Sequence, residues 1–153
     1  MTLSRRKFIT TLGKTTGFVA LVASLPKLAW AKWNTAAFKA TDLQSAIKAK
    51  YGDLPLAESS SVKLSAPKIA ENGTVVPIKV KSNLANVKNI SIFVEKNPSP
   101  LVCTFHIGPN TEADIQTRIR MGESSDVIVV VEADGKLHSA TQNVKVTIGG
   151  CGG

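Results

Sequence analysis

The chain has no C-x-x-C pair, no nucleophile elbow, no phosphate-binding glycine loop and no acidic pair placed for acid–base work. Thiol–disulfide exchange needs a resolving cysteine close to the attacking one, so redox chemistry of that kind has no partner residue here. Without an acid–base pair, an elbow or a phosphate cradle, a self-contained enzyme active site is not expected. A membrane span needs about 20 consecutive apolar residues. The most apolar stretch, Leu12 to Leu25, is shorter and is broken by Gly13, Lys14, Thr15, Thr16 and Gly17. Internal repeats are absent, and the only biased segment is a run of glycines at the C-terminal end.

What is present begins with 153 residues, 43% of them hydrophobic, enough for one domain with a packed core. The formal net charge of +8 is unevenly placed. Residues 1–31 hold Arg5, Arg6, Lys7, Lys14 and Lys27 and no acid, whereas the rest holds 14 basic and 11 acidic residues, a net of +3. Those bases are scattered along the chain and mark no stripe of the sort that binds nucleic acid.

The first 31 residues have the layout of an export signal. Paired arginines in "SRRKFIT" (Ser4 to Thr10) precede the weakly apolar run, and "AWA" (Ala29 to Ala31) supplies an A-x-A cleavage site. Arg5 and Arg6 ahead of such a run resemble a twin-arginine signal. An ordinary secretory signal or an amphipathic anchor remains the alternative. A twin-arginine route implies a periplasmic protein that folds or assembles before export.

Beyond residue 40 the pattern splits in two. "TDLQSAIKAKYG" reads as a short helix, with Thr41 and Gln44 as a capping box and Gly52 as the stop. "DLPLAESSS" reads as a linker. From Val62 the apolar residues recur with period two, the strand period. Seven short strand segments follow. Asn72-Gly73 and Asp134-Gly135 act as hairpin signals, and Pro77 argues for an edge strand or a bulge. The segment "DVIVVVEA" is apolar on both faces and reads as a central strand. Such spacing predicts an all-β fold, an immunoglobulin-like antiparallel β-sandwich of about seven strands with a short N-terminal helix. The expected divisions are a signal peptide at 1–31, a leader, helix and linker at 32–60, the sandwich at 61–148 and a flexible arm at 149–153.

Two cysteines in an exported protein suggest a disulfide by default. Cys103, however, shares strand parity with Leu101, Phe105 and Ile107, and so is expected in the core as a small hydrophobe. The residues that could ligate copper are Cys103, His106, His138, Met121 and Cys151. His106 is an odd number of residues from Cys103 and falls on the opposite strand face, and Met121 lies too far along for a blue-copper loop. No metal or other cofactor is expected, and the two histidines read as surface or hairpin residues.

Cys151 is different. It sits among Gly149, Gly150, Gly152 and Gly153, at the end of the chain, with no base or cation beside it. Nothing in its sequence neighbourhood lowers its pKa from the ordinary value of about 8.5, so activation has to come from another protein. Glycines add no bulk, and the four residues from Thr147 to Cys151 reach roughly 13 Å at about 3.3 Å each. Such an arm can carry a thiol into a narrow active site. Ordering it costs on the order of 1–2 kcal/mol per residue, which keeps each visit brief.

The terminal "GGCGG", together with "APKIAENGTVVPIKV" and "NPSPLVCTFHIGP", closely resembles the SoxY family, the sulfur-substrate carriers of periplasmic Sox thiosulfate oxidation. The resemblance implies a non-catalytic protein that holds sulfur intermediates covalently on Cys151. It implies a heterodimer with SoxZ and transient contacts with the haem-containing SoxAX, the dimanganese hydrolase SoxB and, where present, the sulfane dehydrogenase SoxCD. Cys103 departs from the family's usual single terminal cysteine. The rival readings are a cytosolic ubiquitin-like sulfur carrier, a periplasmic thiol–disulfide redox protein and a structural interaction domain. The export signal and Cys151 argue against the first, and the lack of a second nearby cysteine argues against the next.

Overall fold

The computed structural model describes residues 34–147. The predicted export segment, with Arg5 and Arg6, and the glycines around Cys151 lie outside the described residues. Among the described residues two helices come first, α1 (Thr35–Lys39) and α2 (Leu43–Tyr51). The leader of the sequence reading thus contains a helical turn, capped by the Asn34 side chain accepting from Ala37 N. In α2 the cap is Asp42, one residue on from the expected Thr41, and its carboxylate accepts from Ser45 N at 2.8 Å. Hydrogen bonding from the Ser45 side chain, and after it from the Ser45 backbone N–H, holds the Asp42 carboxyl below its usual pKa. Gly52 ends the helix at a φ of 72°, and its N–H closes onto Lys48 O.

Nine strands follow: β1 (Leu56–Glu58), β2 (Val62–Ser65), β3 (Ile69–Ala70), β4 (Val76–Ser82), β5 (Val87–Val94), β6 (Leu101–His106), β7 (Asp114–Ile119), β8 (Ser125–Ala133) and β9 (Lys136–Val146). The larger sheet has the order β1-β9-β8-β5-β6, with β3 also pairing with β9, and the smaller is β2-β4-β7. The sandwich is as expected. The two strands beyond the predicted seven are short pieces, β1 from the expected linker and β3 from the segment before Asn72. Both run parallel to β9, pairing Leu56 with Leu137 and Ala70 with Val146. A pairing of two or three residues leaves no period-two pattern to read.

The two sheets enclose the main core. Val76, Ile78 and Val80 of β4 face Ile90, Ile92 and Val94 of β5 and Val127, Val129 and Val131 of β8. The helices cover the other face of the larger sheet, where Ala37, Ala46, Ile47 and Tyr51 pack with Phe93, Leu101, Ile128, Val130 and Leu137. This is why "DVIVVVEA" is apolar throughout: β8 is central and covered on both sides. Beneath α2 the Tyr51 hydroxyl lies 2.7 Å from Ser91 Oγ, which lies 2.9 Å from Thr104 Oγ1. Burial there pushes the Tyr51 phenol up to about 12.

Three local expectations change. Asp134 and Gly135 make the predicted tight hairpin, with φ of 49° and 72° and Ala133 opposite Lys136. Asn72-Gly73 does not. It carries the chain from β3 in one sheet to β4 in the other, as an Asx turn in which Asn72 Oδ1 accepts from Thr74 N at 2.9 Å. Pro77 lies in the central strand of the smaller sheet. It is tolerated because β2 pairs with β4 only from Lys79 to Ser82, leaving one side of Pro77 open. Finally, a bulge breaks the parity of β6: Ile92 opposes Cys103 but Phe93 opposes Leu101. Leu101 therefore packs under the helices, while Cys103 and Phe105 lean on the main core.

Candidate functional site

The candidate site is the end of the sandwich from which the C-terminal segment departs. Its root is tied on three sides. Along the sheet edge, Lys145 N donates to Lys68 O and Thr147 N donates to Ala70 O, each at 3.0 Å. From the loop before β8, Ser124 Oγ accepts from Val146 N at 2.9 Å. Gly73 approaches from the third side: Met121 N donates to Gly73 O at 2.7 Å, and a Cβ on Gly73 would stand 2.8 Å from Val146 Cγ1. The loop between β5 and β6 completes this end. There Asn97 donates through Nδ2 to Arg120 O at 2.8 Å and accepts from Gly122 N at 3.0 Å. The described chain is thus hydrogen-bonded through Thr147, the last residue described.

Sequence reasoning missed Ser124 and the β3 pairing, which hold this root, and Asn97, which ties the loop beside it. Asn72 alone left a sequence trace, as an Asn-Gly turn assigned to the wrong kind of turn. The structure places the other candidates apart. Cys103 is half-buried on β6, and burial pushes its thiol up to about 11. His106 is exposed at the end of the same strand, Met121 is buried in the main core, and His138 is half-buried on β9 opposite Val131. No three His, Cys, Asp or Glu side chains gather as metal ligands among the described residues. The predicted opposition of Cys103 and His106 holds because both lie after the bulge, where β6 is regular again.

A family described as "Sulfur oxidation protein SoxY" matches residues 47–151. The chain belongs to the SoxY family. Its span takes in the second half of α2, both sheets and Cys151. Among solved structures, the sulfur carrier protein SoxY from Chlorobium limicola f thiosulfatophilum is 44% identical. The match covers 70% of this chain and 97% of that one, with a TM-score of 0.64. A superoxide reductase (neelaredoxin) from Ignicoccus hospitalis, 16% identical, covers 57% of this chain and 80% of its own with a TM-score of 0.50. That likeness is one of fold alone. No curated protein matches the chain. SoxY proteins are sulfur carriers and not catalysts, and this chain, as a member of the family, is a carrier and not an enzyme.

Proposed function

We propose that this protein is a covalent carrier of sulfur intermediates in thiosulfate oxidation, with the Cys151 thiol as the attachment point. The observation that carries the reading is the family match, whose last residue is Cys151. The remaining thiol supports it by contrast. Cys103 is half-buried with its pKa pushed up to about 11, so near neutral pH it is a poor nucleophile. The hydrogen-bonded root at Thr147 supports it too: it gives Gly149, Gly150, Gly152 and Gly153 a firm base from which to present the thiol.

In this reading the haem enzyme SoxAX oxidatively joins thiosulfate to Cys151, forming a sulfur–sulfur bond as the thiol gives up its proton and two electrons pass, one at a time, to the haem enzyme. SoxB then hydrolyses the terminal sulfone group as sulfate. SoxCD, where present, oxidises the sulfane sulfur that remains. SoxZ is the heterodimer partner. Arg5 and Arg6 direct the assembled pair through the twin-arginine route to the periplasm. The domain divisions follow: signal at 1–31, folded carrier in between, arm at 149–153.

Replacing Cys151 by serine tests the proposal. Intact-mass measurement of the periplasmic protein after thiosulfate should show sulfur-bearing adducts on the C-terminal peptide of the wild type. Cys151→Ser should show none and should lose thiosulfate-dependent respiration, with fold and partner complex retained. Adducts on Cys103, or respiration retained in Cys151→Ser, refute it.

A further inference from the structure

The outer face of the smaller sheet is strongly basic. Lys63 on β2, Lys79 and Lys81 on β4 and Arg118 on β7 are all exposed. The strand registers bring them together: Lys63 stands opposite Lys81, and Arg118 opposite Pro77, two residues before Lys79. At about 7 Å between alternate residues and about 4.8 Å between strands, the four cations share a patch of roughly 15 Å. One acid is among them, Asp114, lying 3.8 Å from Lys79 Nζ and 3.7 Å from Lys81 Nζ. Arg120, also exposed, extends the patch past the end of β7.

This face accounts for the whole charge surplus of the exported chain. Residues 32–153 contain 14 basic and 11 acidic residues. The four bases and one acid carried by β2, β4 and β7 leave ten of each elsewhere. Folding does not favour this, since like charges directly opposite on neighbouring strands destabilise a sheet. A binding role explains it.

Position points to what binds. Arg118 and Arg120 run into Met121, whose N–H is held by Gly73 O, and Gly73 packs against Val146 at the root of the C-terminal segment. A protein docked on the basic face therefore meets the base of that segment. Between Lys79 and Arg118 the face carries a shallow groove of about 730 Å³ lined also by Pro67, Pro77 and Gln116. It mixes apolar floor with cationic rim, as protein interfaces do. No aromatic side chain points outward from these three strands, so a stacking platform for single-stranded nucleic acid is missing.

We propose that this face is the docking surface for acidic patches on the enzymes that load and unload the carrier. The inference rests on the carrier reading above, and adds to it the encounter step. Electrostatic steering raises association rates by about 10–1,000-fold without requiring a tight complex, which suits a protein handed between enzymes.

The test compares wild-type heterodimer with the triple variant Lys79→Glu/Arg118→Glu/Arg120→Glu as substrate of the purified haem-containing loading enzyme, over a range of salt. We expect KM for the carrier to rise about 10–100-fold at low ionic strength with kcat unchanged. The gap should close near 1 M salt, where the screening length is about 3 Å. The charge-preserving variant Lys79→Arg/Arg118→Lys/Arg120→Lys should behave as wild type. Calorimetric binding of the Cys151→Ser protein to the same enzyme reads docking without loading. Salt-sensitive binding there sustains the docking face even if no adduct forms on wild-type Cys151, a result that defeats the carrier reading alone. The docking proposal is overturned by any of three results: an unchanged KM in the Glu variant at low salt, loss of the partner subunit from that variant on gel filtration, or capture of 7:3 phosphatidylcholine:phosphatidylserine vesicles by the basic face with enzyme kinetics unaffected.

Discussion

Gly73 offers the sharpest check on how the root of the C-terminal segment is held. A Cβ at this position would lie 2.5 Å from the backbone oxygen of Met121 and 2.8 Å from Val146 Cγ1. Real Cβ atoms do not approach that closely, so Gly73→Ala must push the β3–β4 turn away from the end of β7 and from β9. Overpacking of this kind costs about 1–3 kcal/mol. The displacement also strains the 2.7 Å hydrogen bond from Met121 N to Gly73 O, worth about 1 kcal/mol. The expected total is about 2–4 kcal/mol, or a fall in Tm of about 10 °C for a domain of this size. Urea unfolding with an unchanged m-value measures it. Val146→Ala should not rescue the variant, because the closer clash is with a backbone atom. Gly73→Asn separates this account from the hairpin reading. Asparagine tolerates the left-handed region a tight hairpin demands, whereas Gly73 lies outside that region and has no room for any Cβ. Asn should therefore be at least as damaging as Ala. A loss below about 0.5 kcal/mol in either variant would sink the argument.

Two further outcomes follow from burial. Tyr51 is the chain's one tyrosine, so absorbance near 295 nm reports it alone. Its folded pKa, raised to about 12 from an ordinary 10.0, means the native state favours the protonated phenol. The stabilisation is fully present below pH 10 and is lost as pH rises towards 12. A native midpoint at the unfolded value would remove the buried hydroxyl chain from the account. For the thiols, Ellman titration of the reduced native protein at pH 8 should count one fast group, and two after denaturation, because Cys103 is half-buried with its pKa at about 11. Two fast groups in the native state would refute that assignment and open a route to an off-pathway disulfide.

Much of the fold could be read from periodicity. Val76, Ile78 and Val80 alternate with exposed neighbours as the pattern implied, and β8 is central as its doubly apolar run implied. Where reading failed, a contact distant in sequence overrode a local signal. Asn72-Gly73 looks like a hairpin to its neighbours, but Ala70 is already paired with Val146, so the turn has to cross between sheets. Leu101 has the parity of Cys103 by count, yet the bulge between them turns it to the helices. β1 and β3 exist only because β9 offers an open edge.

The same division runs through the site. Sequence alone determined that Cys151 stands among glycines, that the first 31 residues have the form of an export signal, and that the middle alternates as strands do, because each of these is a property of neighbours along the backbone. Only the tertiary structure decided that bases scattered from Lys63 to Arg118 share one face, and that this face adjoins the root of the C-terminal segment. Charge collects in space through strand register, and register is set by pairings between residues far apart in the chain.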